Sequence, residues 1–347
     1  MKSDVFFPTI SVITPTLNAA SGLEAELQSI RNQNYPQDKV EIIIADGGST
    51  DSTIEISKKY NAKIVPNKLK TGEAGKAAGL KAATGELVAL IDSDNILPTE
   101  NWLREMVQPF IDNSSVVGSE PWKYTYRREG GFIERYCALI GMNDPIVMFY
   151  GNYDRVNILT NKWTEIDLNT FDHGAWIEID LVKNKKLPTI GANGTVFKSS
   201  FLNSVEVGDY LFDIDVLAMA INKSGLVKFA KVKNSIIHTF CESSINKFSR
   251  KQKRRIVDYF YYKSLNLRNV EWEDSSSYFP ILKFLLYTVL IFPVCFDAVR
   301  GYLKKPDLAA WFFHPIACFI TIYQYVVGVI RVKFFGANPL NRAKWKQ

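Results

Sequence analysis

Residues 86–98, ELVALIDSDNILP, carry an apolar run straight into Asp92, Ser93 and Asp94. Two carboxylates two residues apart repel unless something positive lies between them, and side chains at that spacing in a strand point the same way. A hard divalent cation, holding oxygen ligands and some of its own waters while reaching to a diphosphate, would neutralise both. The plainer alternative makes Asp94 the cap of the following segment PTENWLREMVQPF and gives Asp92 to backbone groups. DxD is a short pattern, and spacing by itself leaves the two readings open.

The elements that must position these acids alternate. ISVITP (residues 10–15) reads as a strand, SGLEAELQSIRNQ (21–33) as an amphipathic helix with Ser21 as N-cap and Glu24 three residues on, and VEIIIAD (40–46) as a strand. GGSTDST turns the chain, TIEISKKY makes a short helix, AKIVP a third strand, EAGKAAGLKAA (73–83) a third helix and LVALID a fourth strand. This repetition predicts an α/β sheet whose ligands sit at the strands' carboxyl ends. Those ends are polar: Thr14, Thr16 and Asn18 after the first strand, Asp46, Gly47, Gly48 and Ser49 after the second, Asp92 and Asp94 after the fourth. A nicotinamide dinucleotide would want GxGxxG after the first strand, where this chain has TPTLNAASG.

The chain of 347 residues accommodates one large domain with an appendage, or two modest domains. Its net charge of +6 is local, because KFSRKQKRR (residues 247–255) holds six basic residues and no acid. That distribution suits an acidic ligand or a membrane surface, and no nucleic-acid partner is expected. Cys137, Cys241, Cys295 and Cys318 show no CxxC spacing, which argues against a zinc site or a disulfide framework. The start, MKSDVFFPTISVITPT, has an apolar run broken by Pro8 and Pro15, unlike a signal peptide, so a cytoplasmic catalytic part is expected.

Taken together, TPTLN, IIIADGGSTDST and LVALIDSDNILP resemble the motifs of family 2 glycosyltransferases, closely over residues 8–110 and more loosely to about residue 260. The resemblance implies a GT-A fold, a Rossmann-like nucleotide-sugar-binding sheet with helices on both faces. It also implies a nucleotide-sugar donor. Thr14, Pro15 and Thr16 would line the nucleotide, together with Asn18, Gly48 and Ser49, and Asp46 would read the base. Asp94 would bind Mg²⁺ or Mn²⁺ on the donor diphosphate, with Asp92 on the ribose or a metal-bound water and Ser93 between them. Lys76, in GEAGKAAG, stands where a cation near the phosphates would help, or is an exposed helix lysine.

GANGTVFKSSFL (191–202) resembles the family segment that turns into a strand, and Asn193 would face sugar or acceptor. EVGDYLFDIDVLAMAINKSG (206–225) resembles the catalytic helix with its pair of acids, but Phe212 replaces the first. Asp213 aligns best with the base and Asp215 remains open, while Asp209 is a candidate helix N-cap. His238, in SIIHTF, is a metal or diphosphate contact or a structural histidine; His173 and His314 read as structural or acceptor-side. KFSRKQKRR, including Arg250 and Arg254, would form a positive lip for a donor or acceptor phosphate or anionic lipid, or else a solvated helix face. The QxxRW element of processive relatives is absent, which implies addition of a single sugar.

YFPILKFLLYTVLIFPVCF (278–296) and AAWFFHPIACFITIYQYVVGVI (309–330) are long enough to span a bilayer. Arg300, Lys304 and Lys305 between them oppose a spanning hairpin by the positive-inside tendency, and Pro293 and Pro315 interrupt the helices, so an interfacial or re-entrant pair stays open. The expected organisation is a catalytic domain over residues 1–265, with a donor half at 8–118 and an acceptor half at 119–265. Membrane-associated helices and a basic tail follow at 266–347, and the catalytic domain lies on the cytoplasmic face of the cell membrane. The expected activity is metal-dependent inverting transfer of one sugar, UDP-linked, to a lipid-linked or membrane-proximal acceptor. The alternatives are a polyprenyl-phosphate sugar synthase and a non-catalytic nucleotide-sugar binder.

Overall fold

The computed structural model describes residues 6–191, 193–205, 207–264 and 278–336. The strands are β1 (Ile10–Thr16), β2 (Val40–Asp46), β3 (Lys63–Pro66), β4 (Leu87–Leu90), β5 (Asn95–Ile96), β6 (Val116–Tyr124), β7 (Thr170–Asp172), β8 (Trp176–Val182), β9 (Thr195–Lys198) and β10 (Leu226–His238). The helices of the sheet region are α1 (Ala20–Arg31), α2 (Thr53–Lys59), α3 (Gly72–Leu80), α4 (Trp102–Asp112), α5 (Phe132–Ile140), α6 (Val147–Tyr150), α7 (Ser199–Asn203) and α8 (Asp213–Ser224). Four more follow: α9 (Ile245–Ser264), α10 (Phe279–Val289), α11 (Phe292–Lys304) and α12 (Leu308–Phe335).

One mixed sheet runs β3-β2-β1-β4-β9-β6-β10-β8-β7, with β5 paired to β10. The first four strands are parallel, as the β-α repetition requires. Strand order reverses between β1 and β4, and ligands of such sheets bind in the crevice at that switch point. Antiparallel β9 joins β4 to β6, so the expected donor and acceptor halves share a single sheet. Alternation along β1 sends Ile10 and Val12 to a core with Leu23 and Leu27 of α1, and Ile13 to the opposite core with Ala77 of α3 and Leu217 of α8.

Local expectations shift in instructive ways. α1 begins at Ala20 with no side-chain cap, and Ser21 and Glu24 form no capping box. Acceptors come instead from the loop after β2: Ala19 N donates to Thr53 Oγ1 (2.9 Å) and Ala20 N to Asp51 Oδ2 (3.1 Å). α3 is capped by Thr71, whose hydroxyl accepts from Ala74 N. It lies directly on β1 because Gly75 and Gly79 have no side chain there; a Cβ at Gly75 would sit 2.7 Å from Pro15 Cβ, and one at Gly79 would clash with Ile13. β4 ends at Leu90, so Asp92 and Asp94 lie in the turn before β5 and not on a strand face. The helix after Asp94 starts only at Trp102 with Asn101 as its cap, which removes the capping role for Asp94. Asp209 is likewise no N-cap: Phe212 precedes α8, and Asp209 pairs with Lys81 at the surface.

The C-terminal helices dock on the sheet domain. Trp311, Phe313 and Ala317 of α12 pack with Tyr136 and Ile140 of α5 and Phe248 of α9. α10 and α11 meet at 83°. The expected domain junction at 265/266 and the end of the basic tail, residues 337–347, lie outside the described residues.

Candidate active site

Pairing of β5 with β10 sets Asn95 opposite His238, and this register brings the histidine to the acid pair. Thr239 N donates to Asp94 O (2.8 Å), and His238 Nε2 lies 3.4 Å from Asp94 Oδ1. From α9, Lys251 Nζ reaches Asp94 Oδ2 at 3.1 Å. Burial by itself would raise the Asp94 carboxyl, but Lys251 and His238 hold it well below the usual carboxylate range. Asp92 goes the other way, raised by burial against the pull of Lys76. The two acids are therefore inequivalent, and Asp94 is the more strongly ionised.

Lys76 is buried, not exposed, and its Nζ lies 3.0 Å from Asp213 Oδ2. Burial disfavours its charge, yet Asp213, Asp92 and Glu73 outweigh that and raise it above the usual lysine value. For Asp213 burial prevails over Lys76, and its carboxyl is raised. Its Oδ1 is buried without a hydrogen-bond partner. Asp213 opens α8, and Asp215, also buried, sits in the same first turn. Acids are favoured there by the helix dipole, which alone does not account for a pair buried 137 residues apart in sequence.

The residues expected on the donor side form a tight loop. Asp46 accepts from Thr16 Oγ1 (3.0 Å), Gly48 N (2.8 Å), Ser49 N (2.9 Å) and Ser49 Oγ (2.5 Å), which uses the roughly four acceptor positions of a carboxylate. Asn18 crosses to the same loop, taking Thr50 N at 2.8 Å and donating its own N–H to Ser49 Oγ. Beside them a cleft of about 440 Å³ is lined by Asp46, Gly48, Val65, Asn67, Lys68 and Lys70. Thr14 departs from the expected lining: it is fully buried and its hydroxyl donates to Glu26, on the α1 side of the sheet. Pro15 packs against Gly75, and Ser93 O against Gly22.

Asn193 is held from below. Its amide donates to Tyr124 OH (3.1 Å) and its carbonyl accepts from Arg155 Nη2 (3.2 Å). Arg155 belongs to a fully buried cluster in which Glu120 takes Arg155 and Lys231, each at 2.7 Å. On α9 the structure brings Lys251 and Arg255 to the site side, Arg255 donating to Asn143 O at 2.7 Å, whereas Arg250 is exposed and Arg254 only half-buried. His173 stacks on Trp176 and His314 is buried between Tyr136 and Tyr287, both away from the acid pair.

Two residues escaped sequence reasoning. Lys251 shares a helical phase with Lys247 and Arg255, but a dense basic run does not reveal which phase faces inward. Glu26 stands within the apolar stripe Leu23, Leu27 and Ile30 of α1, and an acid in a buried stripe is a signal in itself. Burial pushes its carboxyl well above the ordinary value, and Asp92 and Asp94 push the same way.

The donor set fits a divalent cation of the kind that stays partly hydrated. Among the described residues no three His, Cys, Asp or Glu side chains gather around one point. Asp94 and His238 offer one carboxylate and one imidazole close together, and Mg²⁺ or Mn²⁺ bound through one or two protein ligands takes the rest from water and phosphate.

A family model, "Glycosyl transferase family 2", matches residues 11–136. Glycosyltransferase AglE of Haloferax volcanii is 26% identical over 141 residues, covering 39% of this chain and 46% of that protein. The poly(ribitol-phosphate) beta-N-acetylglucosaminyltransferase TarS of Staphylococcus aureus is 35% identical over 96 residues, 26% of this chain and 17% of that protein. The dolichyl N-acetyl-alpha-D-glucosaminyl phosphate 3-beta-D-2,3-diacetamido-2,3-dideoxy-beta-D-glucuronosyltransferase of Methanococcus voltae is 31% identical over 110 residues, 29% of this chain and 33% of that protein. The matched stretches thus span less than half of these relatives. Among solved structures, mannosyltransferase PcManGT from Pyrobaculum calidifontis, in complex with GDP-Man and Mn²⁺, superposes with a TM-score of 0.52 at 15% identity, over 95% of this chain and 88% of that one. Residues 11–136 thus match the family 2 glycosyltransferase model, and the sheet that holds them has the GT-A type of fold.

Proposed function

We propose that the chain is a metal-dependent inverting glycosyltransferase that moves one sugar from a nucleotide donor, a UDP-sugar, to a lipid-linked or membrane-proximal acceptor in glycan or polysaccharide assembly. The observation that carries this reading is the meeting of Asp94, His238 and Lys251 at the carboxyl end of β4, with the Lys76–Asp213 pair coupled to Asp92 beside them. Asp94 and His238, with Asp92 adjacent, would hold Mg²⁺ or Mn²⁺, which when bound would supply positive charge against a leaving diphosphate. The loop of Thr16, Asn18, Asp46, Gly48 and Ser49 shapes the nucleotide cleft, and Lys68 and Lys70 add charge to it. Asp213 Oδ1, free of other partners, takes the acceptor hydroxyl's proton as the new bond forms at the anomeric carbon. Lys76 orients Asp213 through its other oxygen. Asn193 is assigned to the acceptor side, with Lys251 and Arg255 taking the place in the positive lip that Arg250 and Arg254 were expected to fill.

A membrane location is supported by the long apolar helix Leu308–Phe335 and by the dolichyl-linked substrate in the name of the Methanococcus relative; the catalytic domain is assigned to the cytoplasmic face as part of this proposal. The test is incubation of detergent-solubilised protein with a panel of nucleotide sugars, Mn²⁺ or Mg²⁺ and native lipid extract. One donor is consumed and one lipid gains the mass of one sugar. Consumption of no donor under any metal condition refutes the proposal, and transfer that survives Asp213→Asn moves the acceptor to a lipid phosphate, which ionises without a base.

A further inference from the structure

The apolar C-terminal helices leave open how this chain meets a bilayer, and their contacts with the sheet domain decide it. α12 is 28 residues long, and its buried positions, Ala310, Trp311, Phe313, His314, Ala317, Cys318, Thr321 and Gly328, form one stripe. From Ala310 to Gly328 that stripe extends about 27 Å along the axis, nearly the about 30 Å of a bilayer's hydrocarbon core. It packs against α5, α9 and α10, and several of its contacts there are polar. His314 Nδ1 and Nε2 each lie 2.8 Å from a tyrosine hydroxyl, Tyr136 of α5 and Tyr287 of α10. Gln324 donates to Ser249 Oγ (2.8 Å), Tyr325 donates to Asp144, and Gly328 abuts Ile256. Ser249 and Ile256 belong to α9, the helix that carries the basic run. Were α12 to cross a membrane, α9 and its lysines and arginines would be drawn into hydrocarbon with it.

The turn between α11 and α12 is fastened to the same domain. Asp307 pairs with Arg135 at 2.6 Å, and Lys304 Nζ donates to the carbonyls of Ile158 and Leu159. A spanning hairpin would put that turn on the far side from the residues it touches. Away from these contacts the helices expose large apolar side chains: Leu286, Leu290, Ile291, Phe292 and Phe296 around the 83° bend, and Phe312 and Tyr323 on α12. Among the described residues of 278–336, every exposed charged side chain is basic: Lys283, Arg300, Lys304, Lys305, Arg331 and Lys333. Both acids, Asp297 and Asp307, are paired and largely covered.

We infer that α10 to α12 form a monotopic anchor. The bend of α10 and α11 and the outer face of α12 enter one leaflet of an anionic membrane, and both ends of the unit stay on the catalytic side. An apolar face ringed by cations is the pattern that lies in an anionic interface. The inference rests on the membrane-proximal part of the proposed function but not on the sugar chemistry.

Sidedness tests it directly. The full chain carrying Cys295→Ser, with Cys137, Cys241 and Cys318 buried, takes a single new cysteine by Pro306→Cys, Phe335→Cys or, as a reference in the sheet domain, Asp38→Cys. Each variant is reconstituted into 3:1 phosphatidylcholine–phosphatidylglycerol vesicles and treated with a membrane-impermeant maleimide. All three cysteines are expected to label to the same fraction without detergent. Labelling of position 306 or 335 only after solubilisation overturns the inference in favour of a span. In flotation, Arg331→Gln with Lys333→Gln is expected to weaken binding to these vesicles roughly tenfold or more, at about 1 kcal/mol per basic residue, and to leave binding to pure phosphatidylcholine unchanged. A detergent-free protein that fails to float and runs as a dimer assigns the apolar face to a second copy and likewise overturns it. No arm uses a donor sugar, so a failed transfer assay leaves these outcomes readable.

Discussion

Lys76→Met removes one partner from an ion pair whose side chains are 7% and 3% exposed and 3.0 Å apart. Met keeps the length of the stem and its packing on β1, so the change is chiefly one of charge. Breaking a buried pair by deleting one member costs about 3–5 kcal/mol, because the survivor stays desolvated. At about 2 °C per kcal/mol for a chain of this size, the lower figure lowers Tm by roughly 6 °C. The sign of the pH effect follows from Asp213. Its carboxyl is already raised by burial, with Lys76 as the main opposing pull. A raised carboxyl contributes stability that is complete below its ordinary value of 3.8 and lost as pH rises through the folded value. Without Lys76 that folded value climbs further, so the variant loses stability over a wider range of rising pH, and the acidic limb of its transfer profile moves upward. Thermal melts and kcat/KM profiles across pH read both effects. Adding Asp213→Asn to Lys76→Met restores most of the lost stability, since no buried charge is then left alone, but not activity. A single variant with unchanged Tm and unchanged acidic limb would refute the coupling.

Three further outcomes follow from the same geometry. Asp94→Ala is expected to slow transfer about 10³-fold, the effect of losing some 4 kcal/mol of charge stabilisation; because Asp94 is held below its ordinary value, the wild type also keeps a stability advantage above about pH 4 that disappears as pH falls, which melts of the two proteins across pH compare. Gly79→Ala places a methyl against Ile13, lifts α3 off β1 and displaces Lys76, at a cost of about 1–3 kcal/mol with the fold retained by circular dichroism and transfer reduced. Glu26→Gln keeps an acceptor for Thr14 and removes an acid whose raised carboxyl costs stability as pH rises, so its melts should be flatter with pH than the wild type's, within about 1 kcal/mol of it at low pH.

The first four strands were legible because each carries its own signal: a β-branched run, a polar carboxyl end and an amphipathic helix behind it. The acids at 92, 94 and 213 stood out as candidates because their neighbours in sequence repeat a known pattern. What escaped is decided by chain-remote partners. The start of α1 depends on Asp51 and Thr53, which lie beyond β2. Burial of Lys76 depends on Gly75 and Gly79 lying against β1, and the inward face of α9 on a strand pairing at His238. Thr14 was assigned to the nucleotide by its place in a motif, but alternation in β1 turns its side chain to Glu26, whose significance appears only once the helix is docked.

The repulsion between Asp92 and Asp94 that the sequence presents is relieved in the fold by two cations from separate elements. Lys251 of α9 pairs with Asp94, and Lys76 of α3 acts on Asp92 while it binds Asp213. Each acid thus has a lysine of the protein acting on it, by direct pairing at Asp94 and at longer range at Asp92. The two counter-charges also differ in kind. Lys76 is buried and held by a helix pressed onto β1, so it is fixed; Lys251 has a side chain 28% exposed on a helix that packs against α12, so it stands at the open side. In the proposed reaction a cation and a diphosphate arriving from that side would meet Asp94 and Lys251 before the Lys76–Asp213 pair. Stability and charge delivery are therefore assigned to different lysines, which is why substitution of Lys76 is expected to perturb melting and the acidic limb together while loss of Asp94 acts mainly on transfer.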